Sequence, residues 1–331
     1  MKLVVLIALA ACSPPPRADT GFGPDAGAPD ASAFDVAPPY VARRDVTAVV
    51  IGADHVTWSF SDEACPLEGG PCDTVVPTIR RARFDGTDLV TLASTWNRVT
   101  IAGDEAGAFF VNQDDWMYAF VARVPDSPTQ LPQAISIPNS QLRAAPQVDD
   151  TYVYWFAGGG IYRAPRTSNG SDAVLVSDGH VLADTFRVLA GHIWWGTYDA
   201  VAQTSLLHRI PTDGGSEIVT DDLVLPVAAK DDIVYVSQRI GSGFTHYIIG
   251  AMTLDGVITP LLDIAQHEQP ARMIVDGDTL YWSTLSGVIR RMPVTGGTPT
   301  DLIHASSVHF GLTSTSLLYN FNQDGFHVTS R

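Results

Sequence analysis

The chain has 331 residues, 45% of them hydrophobic and 17% charged, with 36 Asp and Glu against 20 Lys and Arg and a formal net charge of −16. That much apolar side chain in a long, weakly charged chain supports a sizeable core and a globular domain. So acidic a balance excludes nucleic-acid binding and attraction to an anionic membrane surface, both of which need clustered Lys and Arg.

At the start of the chain, Met1-Lys2 leads into an unbroken apolar run from Leu3 to Ala11. The run is too short to span a bilayer, which takes about 20 residues, so residues 1–11 read as a targeting segment rather than as structure. It ends in Leu9-Ala10-Ala11-Cys12, which resembles the bacterial lipobox. The resemblance implies cleavage before Cys12, lipidation of that cysteine by diacylglycerol and palmitate-type chains, and a stable membrane anchor. Ser13 stands where an inner-membrane retention signal would place an aspartate, so the expected location is the outer membrane or the cell surface, facing periplasm or exterior. Residues 12–39 are rich in Pro, Ala, Gly and Asp. With almost nothing large to bury, they are expected to form a disordered tether.

The folded domain is expected over 40–331. Early in it, Cys65 and Cys72 flank a Gly/Pro-rich insertion. In an oxidising envelope these two should form a disulfide, contributing roughly 2.5 kcal/mol in the chain-entropy picture. Zinc is the rival reading, and no further Cys or His stands at zinc-site spacing.

Beyond the insertion a repeat is visible. Asp149-Asp150-Thr151-Tyr152-Val153-Tyr154-Trp155 runs into Gly160-Ile161-Tyr162-Arg163-Ala164-Pro165, and Asp276-Gly277-Asp278-Thr279-Leu280-Tyr281-Trp282 runs into Gly287-Val288-Ile289-Arg290-Arg291-Met292-Pro293. Fainter copies lie at Ile193-Trp194-Trp195 and Ile233-Val234-Tyr235. One aromatic per repeat gives Trp58, Phe110, Trp155, Trp195, Tyr235, Trp282 and Tyr319, close to the roughly 40 to 45 residues of a four-stranded propeller blade. Asp85-Gly86, Asn169-Gly170, Gly214-Gly215, Asp255-Gly256 and Gly296-Gly297 recur in phase and supply the positive φ angles of two-residue hairpins. Short runs of Val, Thr, Ile, Tyr and Trp between Gly, Asp and Pro clusters, with no helical periodicity past the signal peptide, predict an all-β domain.

Val153-Tyr154-Trp155 and Leu280-Tyr281-Trp282-Ser283-Thr284, each followed by Arg-x-Pro, resemble the Tyr-Trp-Thr-Asp class of propeller repeats, seen also in propeller lipoproteins of environmental bacteria. The likeness covers nearly all of the chain past Val46 and implies an architecture without an activity. The expected fold is a seven-bladed β-propeller of four-stranded antiparallel blades, with six blades as the alternative. Residues from Val308 to Val328 supply only three strands of the last blade, and a strand near Tyr40 to Arg43 is expected to complete it.

Candidate chemistry divides by residue type. The repeated aromatics are expected to wedge between blades, with stacking on a carbohydrate as the functional alternative. Arg83, Arg123, Arg163, Arg209 and Arg291 follow the repeat, so a structural or solvated role is favoured. Carboxylates at Asp104-Glu105, Asp114-Asp115, Asp149-Asp150, Asp221-Asp222, Asp231-Asp232 and Asp276 with Asp278 fit ordinary turns. Gathered at one end of a channel they would instead suit calcium; no cofactor is expected. His267-Glu268 lies at a blade junction, and His55, His192, His246 and His304 are scattered without the spacing of a catalytic or zinc motif. The function expected on this reading is a monomeric, non-catalytic scaffold for a protein or carbohydrate ligand. The alternative is an enzyme centred on the channel, such as a lactonase-like metal-dependent hydrolase or a lyase, because fold alone does not decide function.

Overall fold

The computed structural model describes residues 44–64, 74–84, 87–94, 99–113, 119–135, 144–178, 182–199, 204–220, 224–240, 246–304, 309–320 and 326–330. The targeting segment, Cys12, the tether, the Tyr40–Arg43 strand and the Cys65–Cys72 pair lie outside the described residues.

Seven antiparallel sheets follow one another along the chain, each with its strands in sequence order. The first holds β1 (Arg44–Ile51), β2 (His55–Ala64), β3 (Thr74–Arg83) and β4 (Val90–Ser94). The second holds β5 (Val99–Asp104), β6 (Gly107–Gln113), β7 (Ala119–Arg123) and β8 (Gln133–Ala134). The third runs β9 (Gln147–Val148), β10 (Tyr152–Ala157), β11 (Gly160–Pro165) and β12 (Val174–Ser177), and the fourth β13 (Leu182–Leu189), β14 (His192–Asp199), β15 (Thr204–Pro211) and β16 (Ile218–Thr220). The fifth comprises β17 (Val224–Lys230), β18 (Ile233–Ile240), β19 (His246–Thr253) and β20 (Ile258–Ala265), and the sixth β21 (Pro270–Asp276), β22 (Thr279–Thr284), β23 (Val288–Pro293) and β24 (Thr300–His304). The seventh has β25 (Phe310–Leu312), β26 (Ser316–Asn320) and β27 (Phe326–Ser330), three strands among the described residues. One 3-10 turn, Gln266–Glu268, joins the fifth sheet to the sixth.

The first strands touch one another in succession around the molecule, β1 with β5, β5 with β9, and onward through β13, β17 and β21 to β25, which returns to β1. This closes the sheets into a seven-bladed β-propeller, with the first strands around the centre and the fourth strands outermost. Closure removes the open edges that a free sheet would expose.

The second strand of each blade shows why the ring holds. In β10 the run Val153-Tyr154-Trp155-Phe156-Ala157 is buried throughout, and so is Leu280-Tyr281-Trp282-Ser283-Thr284 in β22. A strand covered on one face alternates apolar with polar residues, whereas one covered on both faces reads as a continuous apolar run. Successive side chains therefore pack against opposite neighbours. Val153 and Trp155 join Phe109 and Val111 of the second blade, while Tyr154 and Phe156 join Phe186 and Trp195 of the fourth. Likewise Trp282 packs against the fifth blade and Tyr281 against the seventh.

This register corrects two assignments made from spacing. Tyr235 lies on the face turned to the sixth blade, with Met273 and Trp282, and Val236 takes the place that tryptophans hold in other blades, packed with Trp194 of the fourth. The cause is the two-residue period of a strand, in which a one-residue offset changes the face. Among the third-strand arginines, Arg81 rather than Arg83 is in phase: Arg80 is paired with Trp58 as Tyr162 is with Trp155 and Arg290 with Trp282, which puts Arg81 level with Arg163 and Arg291. Arg83 instead binds exposed Asp88 at 2.8 Å.

The outer connections are longer than two-residue hairpins. Six residues separate β23 from β24, with Gly296 and Gly297 both at positive φ, 90° and 132°. Two-residue turns with paired positive φ are found instead between a first and a second strand at Ala190-Gly191, 50° and 66°, and between a second and a third at Gly158-Gly159, 58° and 92°, the left-handed geometry that matches strand twist.

Six of the seven repeat aromatics are buried, and Tyr319 is half-buried. Trp282→Ala and Trp155→Ala should each cost roughly 3 to 5 kcal/mol in urea unfolding, against less than about 0.5 kcal/mol for Arg83→Ala; equal losses would contradict the wedge role.

Candidate binding site at the centre of the ring

The carboxylates singled out from sequence divide by topology. Asp104-Glu105, Asp149-Asp150, Asp231-Asp232 and Asp276 with Asp278 all sit on turns from a first strand to a second, and so at one end of the ring. Asp114-Asp115 and Asp221-Asp222 lie outside the described residues.

Several of these acids serve the fold. Asp149 accepts from the backbone N–H of Thr151 and Tyr152 at 2.8 and 2.7 Å, and from the Tyr154 hydroxyl at 2.6 Å. Burial first, and then that hydrogen bond, push the Tyr154 hydroxyl well above the ordinary phenol range. Asp104 holds Arg166 of the third blade through two bonds of 2.6 Å, and Arg166 lies over the Phe109 ring and is only 9% exposed. Burial would raise the Asp104 pKa, but its bonds to Arg166 and to backbone N–H groups outweigh this and hold it below the usual value. Asp278 takes Lys230 of the fifth blade at 2.8 Å. Among the described residues no three His, Cys, Asp or Glu are grouped so as to hold a metal ion.

Three of the in-phase arginines act as latches between neighbours. Arg81 donates to the Asp126 carbonyl of the second blade at 2.7 Å, and Arg163 lies over Tyr152 and donates to the Thr212 carbonyl of the fourth. Arg209 lies over Trp194 and faces Asp255 of the fifth.

The candidate histidines are not brought together. His55 pairs with Asp54 at 2.8 Å, His192 with the Ala190 carbonyl at 2.7 Å, His246 stands 3.7 Å from Asp263, and His304 stands 3.9 Å from Asp301. His267 is exposed in the 3-10 turn, and its neighbour Glu268 binds Arg290, which also binds Asp301. Glu268, Arg290, Asp263 and Asp301 line a polar notch of about 250 Å³ between the fifth and sixth blades.

At the centre stand two residues that repeat spacing did not single out. Arg272 on β21 reaches past the seventh blade to the Val49 carbonyl of β1, at 3.4 Å. Its path crosses in front of β25, which touches both β21 and β1, and His309 lies just before β25 at the equivalent level. Both side chains are half-buried at the inner wall. Burial pulls the Arg272 pKa down to about 10. Burial, and then the charge of Arg272, pull His309 down to about 4. The signal that could have found Arg272 is its departure from the repeat. Pairing places Ala48, Thr100 and Leu225 of other blades level with it, opposite Ser59, Val111 and Ser237 as Arg272 is opposite Ser283, and all three are uncharged.

No known protein family matches the chain, and no curated protein matches it in sequence. Similarity is found to solved structures. The β-propeller domain of the Trilobed protease from Pyrococcus furiosus superposes with a TM-score of 0.61 at 8% identity, covering 86% of this chain and 94% of that one. The WD40 β-propeller domain of Doa1 gives 0.58 at 12% identity over 88% and 94%. Acylaminoacyl peptidase from Pyrococcus horikoshii gives 0.61 at 11% identity, over 83% of this chain and 49% of the peptidase. These likenesses define the class of the protein, a β-propeller.

Two measurements test these electrostatics. Native His309 stays neutral down to about pH 4, whereas an unfolded histidine protonates near 6.5, so stability should fall between about pH 6.5 and 4 by up to about 3 kcal/mol. Urea unfolding of His309→Gln should lack this share of the acid loss; an unchanged pH slope would contradict the burial. Arg166→Met should cost roughly 2 to 3 kcal/mol, between the values for exposed and buried pairs, and less in an Asp104→Asn background. A full additive loss in the double variant would show that the two do not interact.

Proposed function

We propose that the protein is a lipid-anchored, non-catalytic binding scaffold of a bacterial envelope, with Cys12 carrying the anchor, residues 12–39 holding the propeller away from the lipid, and the ring presenting a ligand site at its centre. The observation that carries this reading is a rigid ring, packed blade against blade, whose inner wall holds a half-buried cation that the repeat does not call for. Propellers suit this use because convergent polar groups collect where the inner strands meet. The solved neighbours include the β-propeller domain of a protease, an acylaminoacyl peptidase and a WD40 β-propeller domain, and likeness at 8 to 12% identity extends to architecture alone.

Cys12→Ala should move the protein from the membrane pellet to the soluble fraction and abolish labelling by a palmitate analogue; persistence in the pellet would refute the anchor. Purified protein should hydrolyse lactones and simple esters no faster than buffer does, with or without calcium. Measurable turnover would replace the scaffold reading with an enzymatic one.

A further inference from the structure

Five arginines of this protein are held closely by an oxygen. Arg81, Arg83, Arg166 and Arg290 each meet an oxygen at 2.6 to 2.8 Å, and Arg163 is held by the Thr212 carbonyl. Among the described residues Arg272 makes a single bond, of 3.4 Å, to the Val49 carbonyl, at the weak limit of a hydrogen bond. A guanidinium has five N–H donors in a flat fork, and no carboxylate among the described residues contributes to the environment of this one. The chain has 36 acids to 20 bases, yet its acidic turns lie elsewhere. Asp276, at the end of the same strand, is four residues away, about 13 Å along an extended chain. Burying a cation without a partner is costly, and the uncharged residues level with it in other blades show that the fold does not require it.

We propose that the centre of the ring binds a small oxyanion, a carboxylate or a phosphate, in the fork of Arg272 with the His309 ring alongside. This assignment rests on the binding-scaffold reading and adds the ligand class. Carboxylate and phosphate each offer two oxygens that match the guanidinium fork with two parallel bonds. The acidic turns at one end of the ring disfavour entry there, so the ligand enters from the opposite end, which carries the 3-10 turn.

Acetate and inorganic phosphate, each titrated in the millimolar range against chloride at constant ionic strength, test the assignment by calorimetry and by the NMR resonances of the His309 ring. The expected result is saturable binding of at least one, with the His309 resonances moving along the same isotherm. Response to acetate alone identifies a carboxylate ligand; stronger response to phosphate identifies a phosphate. Arg272→Met should weaken the affinity at least tenfold, and Arg83→Met should leave it unchanged. No saturable response from the wild-type protein, which needs no variant to fold, overturns the assignment, as does equal binding by Arg272→Met. Failure here removes the oxyanion as the ligand class, whereas measured turnover or retention of Cys12→Ala in the membrane pellet is what removes the parts of the scaffold reading.

Discussion

Everything in this molecule depends on covering both faces of the second strand in each blade. A four-stranded sheet with two apolar faces is insoluble alone, and it becomes stable only between two neighbours that are themselves covered. Rotation of the same unit about one axis satisfies this for every blade at once. The first strands then enclose a centre, and the fourth strands, with exposed Val174, Leu175, Ile218 and Val219, carry least of the core.

Charge is layered onto this packing in a consistent order. Arg81, Arg163 and Arg209 lie on third strands, outside the buried second strand, and reach the next blade. The Arg166–Asp104 and Lys230–Asp278 pairs join neighbouring blades at the acidic end. The second pair is exposed and adds little stability. In the first, Arg166 is largely withdrawn from water while Asp104 keeps partial exposure, so much of its benefit lies in fixing how two blades meet. Arg272 belongs to neither group: it lies at the centre, its bond to the Val49 carbonyl is long, and no repeated position predicts it.

The architecture was legible because a buried strand prints itself as an apolar run. Tyr152 to Trp155 and Leu280 to Trp282 carried blade length, strand type and the wedge together. Less legible was the face on which a residue packs. Tyr235 and Arg83 were misassigned because an offset of one or two residues leaves the spacing of repeats almost unchanged while moving the side chain to another environment. The turns chosen by composition, such as Gly296-Gly297, are turns, but tighter ones lie at Ala190-Gly191 and Gly158-Gly159. The central pair was illegible for a different reason: Arg272 and His309 are 37 residues apart in the chain and meet only because two inner strands are adjacent in the ring. A search for local catalytic or metal motifs passes over such a pair. Aligning first strands by their pairing partners would have exposed Arg272 as the charged exception.

Native-state hydrogen exchange tests the central claim most directly. If two-sided burial holds the ring, the amides of β10, β14 and β22 should be the slowest to exchange, opening only with global unfolding, while those of β12, β16 and β24 should exchange through local fraying. Second-strand amides no better protected than fourth-strand amides in the same blades would contradict the account.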